Sequence, residues 1–405
     1  MSLGRADQSL VKQLNSALLL NLLLDESPRS RANLAHQTGL NRSTISSLVA
    51  DLIEHGLIRE VGLQEPSSRG RPGVLLELNP GGGGVVGIEI NVGYVIAILT
   101  DFTAQMLWRR HITFTPDTDQ SSVLHLTEEL IYAALQASKA HNLKPLGIGL
   151  VVPGLVDIGR GALVYAPNLH WREVPFRDLW GSKFGVPFYI ENDGNAAALG
   201  EHYFGVAKGH SNFLFLGTGV GMSGGLMLNN QLYRGVGGFA GEVGHIVVES
   251  GGDLCACGRR GCWETLVGTP AVVRNIVEAL NAGAPSRIPE IVGHNLSLIT
   301  MDVVVDAANR GDQLALDALS GIALHLGSGI ANLVNIFNPA LIVLGGELIQ
   351  AGRYLLPSIG KIITAEALAD VSRMVALAVS SQTTDACVRG AAALVIDGIV
   401  HEPVF

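Results

Sequence analysis

The sequence predicts an α/β body of two lobes built on one plan, preceded by a winged helix-turn-helix module. Three observations carry that expectation. Capping residues punctuate two short helical patterns between Ser30 and Gly56. A glycine run, Pro80-Gly-Gly-Gly-Gly84, then separates this segment from the rest. Beyond it, two β-rich stretches, 85–99 and 212–228, each turn at glycine and are followed by further strand and helix patterns. The domains so read are a winged module at 1–80, a linker at 81–84, a first lobe at 85–192 joined by a C-terminal helix within 384–405, and a second lobe at 193–383.

A chain of 405 residues has room for two or three domains, and 48% hydrophobic against 16% charged residues suits a large core. Apolar runs are broken by Gly, Pro or charge before membrane-spanning length, so no membrane partner is expected. No basic stretch with a cleavage site marks a secretory leader. Four cysteines, three of them clustered, fit a reducing cytoplasm. The net charge of −9 falls entirely on the body: residues 1–80 carry eight basic and eight acidic side chains, residues 81–405 carry 19 and 28. This excludes a broadly basic nucleic-acid binder and leaves room for a small DNA-reading module whose basic residues are local.

In the first segment, residues 8–24 carry leucine at helical spacing, with Leu10, Leu14 and Leu18 among them. Ser30 caps a short helix that Gly39 ends. Asn41 caps a second helix that runs to about His55 and stops at Gly56, with Ile45, Leu48, Val49, Leu52 and Ile53 as its buried stripe. The outward start of that helix holds Arg42, Ser43, Thr44, Ser46 and Ser47, donors and acceptors suited to phosphates and base edges in a major groove. Two strands follow at 57–62 and 73–78. The loop between them contains Arg69-Gly-Arg71-Pro, narrow and doubly cationic, suited to an A·T-rich minor groove. The alternatives are a solvated hairpin loop and a three-helix scaffold used only for dimerisation.

In the body, the apolar helix pattern at 314–337 and the strand pattern at 341–344 continue the alternation. The densest chemistry lies between Gly241 and Glu264, which reads G-E-V-G-H-I-V-V-E-S-G-G-D-L-C-A-C-G-R-R-G-C-W-E. His245 with Cys255, Cys257 and Cys262 makes a closed tetrahedral zinc set, and the nearby glycines let the backbone fold around an ion. Free or redox-active cysteines are the alternative. Cys387 lies in an apolar helical pattern and reads as an inert core thiol.

These motifs resemble the ROK family, which combines sugar kinases with sugar-responsive transcriptional repressors. The resemblance covers essentially the whole chain and is strongest to the repressors of the xylose type, which Ala166-Pro-Asn-Leu-His-Trp171 resembles in particular. It implies two ribonuclease H-like lobes of the kind seen in actin and sugar kinases, with the C-terminal helix returning to the first lobe. Ile190-Glu-Asn-Asp-Gly-Asn-Ala-Ala-Ala198 is similar to the family's catalytic segment, in which the acid at Asp193 accepts a sugar hydroxyl proton in the kinases. The resemblance also implies sugar contacts from Gly154, Asn192, Glu242, His245 and Glu264, with Asn168 a further candidate. Carboxylates and amides suit polyols, because each hydroxyl both donates and accepts. Taken singly, Asp193 also reads as a helix cap and Glu264 as a surface acid.

One stretch departs from the family pattern. Its kinases carry Asp-x-Gly-Gly-Thr after the first strand, whereas this chain has Glu89, Asn91 and Tyr94 at the acid, first glycine and threonine. That loop is expected to hold phosphate poorly, so Asp193 becomes a relict base and no kinase activity is expected. The second loop, Gly217-Thr-Gly-Val-Gly221, keeps its glycines. The function expected is a sugar-responsive repressor that binds operator DNA as a homodimer or tetramer, with structural zinc bracing the sugar site. Its rivals are an active sugar kinase with a DNA-binding appendage and a regulator titrated by a protein partner.

Overall fold

The computed structural model describes residues 8–63, 73–115, 117–382 and 385–401. Arg69 and Arg71 lie outside them. The chain forms two compact units: Met1–Val151 with Pro175–Glu191 and Val388–Phe405, and Val152–Val174 with Asn192–Cys387.

The first unit begins with the helix Gln8–Asp25. Leu19, Leu20, Leu23 and Leu24 turn inward, whereas Leu10, Leu14 and Leu18 face solvent. Two short helices follow, Arg31–Thr38 and Arg42–Glu54. Both expected caps are present: Ser30 Oγ accepts from the Asn33 amide at 3.3 Å and Asn41 Oδ1 from the Thr44 amide at 2.8 Å. Gly39 ends the first of these helices with a left-handed φ of 70°. The wing strands Ile58–Leu63 and Val74–Leu78 pair antiparallel, with an Arg59–Glu77 ion pair at 2.7 Å across them.

Residues 81–84, read as a linker, are a bonded corner. Pro80–Gly82 is a 3-10 turn capped by Asn79, whose side chain also donates to Gly56 O at 2.7 Å. A Cβ on Gly82 would lie 2.9 Å from Gly56 O and 3.5 Å from the Phe102 ring. The sheet beyond has five strands. Gly84–Asn91 pairs antiparallel with Tyr94–Asp101 and parallel with Pro145–Val152. Met106–Thr113 and Phe188–Asn192 form its edges. The C-terminal helix, Ala386–His401, presses its backbone on this sheet: a Cβ on Gly87 would lie 2.7 Å from Val388 O.

The second unit repeats the plan. Phe213–Thr218 pairs antiparallel with Met222–Leu228 and parallel with Leu341–Gly346, and the five strands follow the same order as in the first unit. One face of this sheet carries the helix Asp193–Phe204, with Ala197 and Ala198 against Phe213, Phe215 and Val343. The other carries the long helix Gln313–Phe337 and its neighbours, around Trp263, Leu326, Ile330 and Ile359. The expectation that no apolar run reaches membrane-spanning length is corrected here. Gln313–Phe337 is long and apolar enough by composition, and half of its most apolar window is buried in this core. Its hydrophobicity serves helix and sheet packing on a broad buried stripe.

Candidate functional site

Glycine contacts draw three segments of the second unit together. The start of the helix Asp193–Phe204 rests on the backbone of Gly224, where a Cβ on Gly194 would lie 2.7 Å from the Gly224 nitrogen. On the next strand turn, a Cβ on Gly224 would lie 2.6 Å from Gly241 O. Only glycine permits this stacking of 193–195, 222–225 and 241–242. It places Asp193, Ser223 and Glu242 side by side.

Asn192, the residue before the helix, is its cap: Oδ1 accepts from the Gly194 and Asn195 amides at 2.8 and 3.2 Å. Its Nδ2 donates to Gly154 O at 2.8 Å, so Asn192 and Gly154 brace one another. Asp193 is the first residue of the helix and leaves the capping to Asn192. Burial pushes its carboxyl up to about 6, opposed by hydrogen bonds from the Gly194 backbone, its own backbone, Asn192 and Ser223. Burial also lifts Glu242 to about 7, and the charges of Asp193 and Glu264 push the same way. Three carboxylates thus share one site, two of them holding protons more tightly than usual.

Glu264 is buried, which removes its reading as a surface acid. Its Oε2 accepts from the Met222 amide at 3.3 Å, and its Oε1 lies 2.7 Å from Cys255 Sγ, beside the cysteine cluster. A Cβ on Gly221 would lie 2.8 Å from Glu264 Oε2 and 2.9 Å from Asn168 Nδ2, so Asn168 joins the same corner. Sequence reasoning did not find Ser223 or the Met222 amide. The glycine pair 224–225 was the available signal, since paired glycines on a strand mark a close backbone approach.

His245, Cys255, Cys257 and Cys262 converge, their ligand atoms all within 4.8 Å of one another. A bridge between Val247 and Cys262 and another between Leu254 and Arg260 fold the segment back on itself. The Cys255 and Cys257 loop closes where Gly258 donates to Cys255 O at 2.9 Å. Gly261, at a φ of 73°, lies where a Cβ would collide with Glu249 O. Cys257 and Cys262 sulfurs are 3.7 Å apart, and Cys255 Sγ is 3.6 Å from His245 Nδ1. A tetrahedral zinc with bonds near 2.3 Å to sulfur sets its ligands about 3.8 Å apart, so donor set and spacing both fit. His245 Nε2 faces the opposite way, 3.9 Å from Glu242 Oε2. Trp263, between Cys262 and Glu264, is buried and donates to His325 O at 3.0 Å, anchoring both to the long helix.

The altered loop belongs to the first unit. Glu89 is buried, and its Oε1 accepts from Tyr94 Oη at 2.8 Å and Asn91 Nδ2 at 3.0 Å. Asn91 Nδ2 also reaches Tyr94 Oη at 2.9 Å. The three departures from the kinase pattern therefore bond to one another. In the helix-turn-helix, Arg42, Ser43, Ser46 and Ser47 are exposed and Thr44 is half-buried. Ser43 Oγ donates to Asn41 Oδ1 at 2.7 Å and Ser46 Oγ to Arg42 O at 2.8 Å.

The body of two matched sheets, with this carboxylate and cysteine site, places the chain in a defined class. Residues 85–398 match the ROK family model, and residues 15–62 match the IclR helix-turn-helix domain. The chain belongs to the ROK family. It is 33% identical over 98% of its length to the xylose repressor of Caldicellulosiruptor bescii, covering 99% of that protein. It is 31% identical over 90% of its length to the transcriptional dual regulator NagC of Escherichia coli K12, covering 88% of that protein. Among solved structures it resembles a ROK family transcriptional regulator, a homologue of the E. coli MLC protein, with a TM-score of 0.82 and 29% identity over 96% of this chain and 98% of that one.

Proposed function

We propose that this protein is a cytoplasmic, sugar-responsive transcriptional repressor that binds operator DNA as a homodimer. The mutual bonding of Glu89, Asn91 and Tyr94 carries the choice of regulator over kinase. It keeps the side chains of the first loop engaged with one another, while the second unit retains a carboxylate set suited to a polyol. Asp193, Glu242, His245 and Glu264 would bind the sugar hydroxyls, with Asn192 and Gly154 holding the frame. His245, Cys255, Cys257 and Cys262 would hold a structural zinc, which supplies a rigid fold to the segment bearing Glu242 and Glu264. The sugar weakens DNA binding by favouring one of two arrangements, which requires that it bind one better than the other.

Arg42 and the hydroxyls of Ser43, Thr44, Ser46 and Ser47 would meet the major groove, and Arg69 and Arg71 a neighbouring minor groove. The test is a gel-shift titration on a pseudo-palindromic operator with and without D-xylose, D-glucose or N-acetylglucosamine. Release by one of these sugars, with no ADP produced from ATP and magnesium, is the expected result. Arg42→Ala should lower affinity across sequences and reduce the salt slope by about one, whereas Arg71→Ala should flatten an A·T preference.

A second reading, an active sugar kinase with a DNA-binding appendage, is favoured by one observation. Burial raises the Asp193 carboxyl to about 6, a value that would suit a base. Robust ADP release on any sugar would establish it.

A further inference from the structure

We propose that Glu201 and Ser380 form a clamp that makes the sugar-site helix and a chain crossing between the two units move as one body, and so carries the sugar signal toward the DNA-binding unit. The inference deepens the repressor reading and rests on it.

The helix Asp193–Phe204 begins at the sugar site. It also begins at a crossing between units, since Glu191 belongs to the first and Asn192 to the second. At its other end lies Glu201, fully buried. The Ser380 hydroxyl donates to Glu201 Oε1, and the Val206 amide donates to Oε2 at 2.9 Å. Gln382 reinforces the contact, its amide donating to Ser380 Oγ at 3.0 Å and its side chain to Gly200 O at 3.4 Å. Gly205 makes room, because a Cβ there would collide with the Glu201 carboxylate. From Gln382 the chain runs to Cys387 and crosses at Val388 into the C-terminal helix, which lies on the first unit's sheet. Thus one helix holds one crossing at its start and is clamped to the approach of another near its end.

Stability alone does not account for Glu201. A buried carboxylate with hydrogen-bond donors among its described partners pays a desolvation penalty. It also sits in the last turn of a helix, where the macrodipole disfavours negative charge. Burial raises its pKa, opposed by the Ser380 and Val206 bonds. A neutral glutamine would fill the same space without the charge penalty, but with one acceptor oxygen in place of two it could not receive both the Ser380 hydroxyl and the Val206 amide. What the carboxylate provides is two strong acceptor oxygens that lock separate segments together.

The test compares wild type, Glu201→Gln, Ser380→Ala and Ser380→Thr. Glu201→Gln should fold with an unchanged or higher Tm and bind operator within about twofold of wild type. A sugar-induced loss of operator affinity of ordinary size, about 5- to 150-fold, should collapse to within about twofold in Glu201→Gln and Ser380→Ala, while the sugar still binds by calorimetry. Ser380→Thr, which keeps the hydroxyl, should restore the response. Hydrogen exchange gives an arm independent of sugar: the Val206 and Gln382 amides should open together in wild type and separately, and sooner, in both clamp variants. Full sugar release by both variants overturns the proposal, as does unchanged joint protection of those two amides. If none of D-xylose, D-glucose or N-acetylglucosamine binds wild type, the sugar reading falls and the exchange arm alone decides the clamp.

Discussion

The two units share one strand order, yet their glycine-turned hairpins have taken opposite courses. In the second unit, glycine contacts bring Asp193, Ser223 and Glu242 together, and two of the carboxyls hold their protons unusually tightly. In the first, the corresponding turn region contains Glu89, Asn91 and Tyr94, which hydrogen-bond among themselves. The members of the first cluster are engaged with one another through Glu89 Oε1, whereas carboxylates crowded with raised pKa values gain from ligand hydroxyls that donate to them. The same scaffold thus offers a quiet hairpin in one unit and a receptive one in the other.

The sharpest way to break this contrast is through the metal. Cys257→Ser, or a strong chelator, should remove zinc detected by elemental analysis and abolish the melting transition of the second unit while leaving that of the first. Structural zinc in small peptides contributes about 10–16 kcal/mol, comparable to the whole stability of a domain. A metal-free protein with unchanged melting would remove zinc from the account.

Next in size, Asp193→Ala and Glu242→Ala should each weaken sugar binding about tenfold or more, since a lost hydrogen bond to a charged group is worth about 1.5–3 kcal/mol. Operator affinity without sugar should not change. Variants that release DNA normally on adding sugar would show that these carboxylates are not the sensor.

A smaller effect lies in pH. Burial raises the Asp193 carboxyl from the ordinary aspartate range near 3.8 to about 6 in the folded protein. Between those values the folded state keeps a proton that the unfolded state releases. This group's contribution therefore lowers stability as pH rises from about 4 through about 6, with the loss complete above that. Denaturation curves at saturating zinc should show that decline in wild type and a flatter profile in Asp193→Asn. Equal profiles would mean the carboxyl is not held as described.

The smallest change belongs to the quiet hairpin. Tyr94→Phe removes the hydroxyl that bonds both Glu89 and Asn91 and should lower stability by about 1–2 kcal/mol, with sugar response intact. A lost sugar response would mean the first hairpin is not at rest.

The helix caps were legible in the sequence because capping is local: Ser30, Gly39, Asn41 and Gly56 act on neighbours within a few residues. The cysteine and histidine set was legible for the same reason, its spacing being a short-range signal. What escaped the sequence depends on partners far along the chain. The brace between Asn192 and Gly154 spans 38 positions, and Glu264 is buried next to a Trp263 anchored on a helix some sixty residues later. Leu10, Leu14 and Leu18 face outward because the helix presents its later leucines to the core, a rotation that spacing alone does not fix. Glu201 offered no motif at all, since its partner Ser380 is separated by 179 positions.

The bonded corner at Asn79–Gly84 bears on how such proteins can be recombined. Asn79 grips Gly56 at the end of the helix Arg42–Glu54, Gly82 fits against Gly56 and Phe102, and a side chain on Gly83 would run into Leu146. A graft that exchanges residues 1–78 for another reader would cut through this joint and leave mismatched surfaces on either side. An interchangeable reading head therefore ends later than its last strand and has to bring along the residues that meet Phe102 and Leu146.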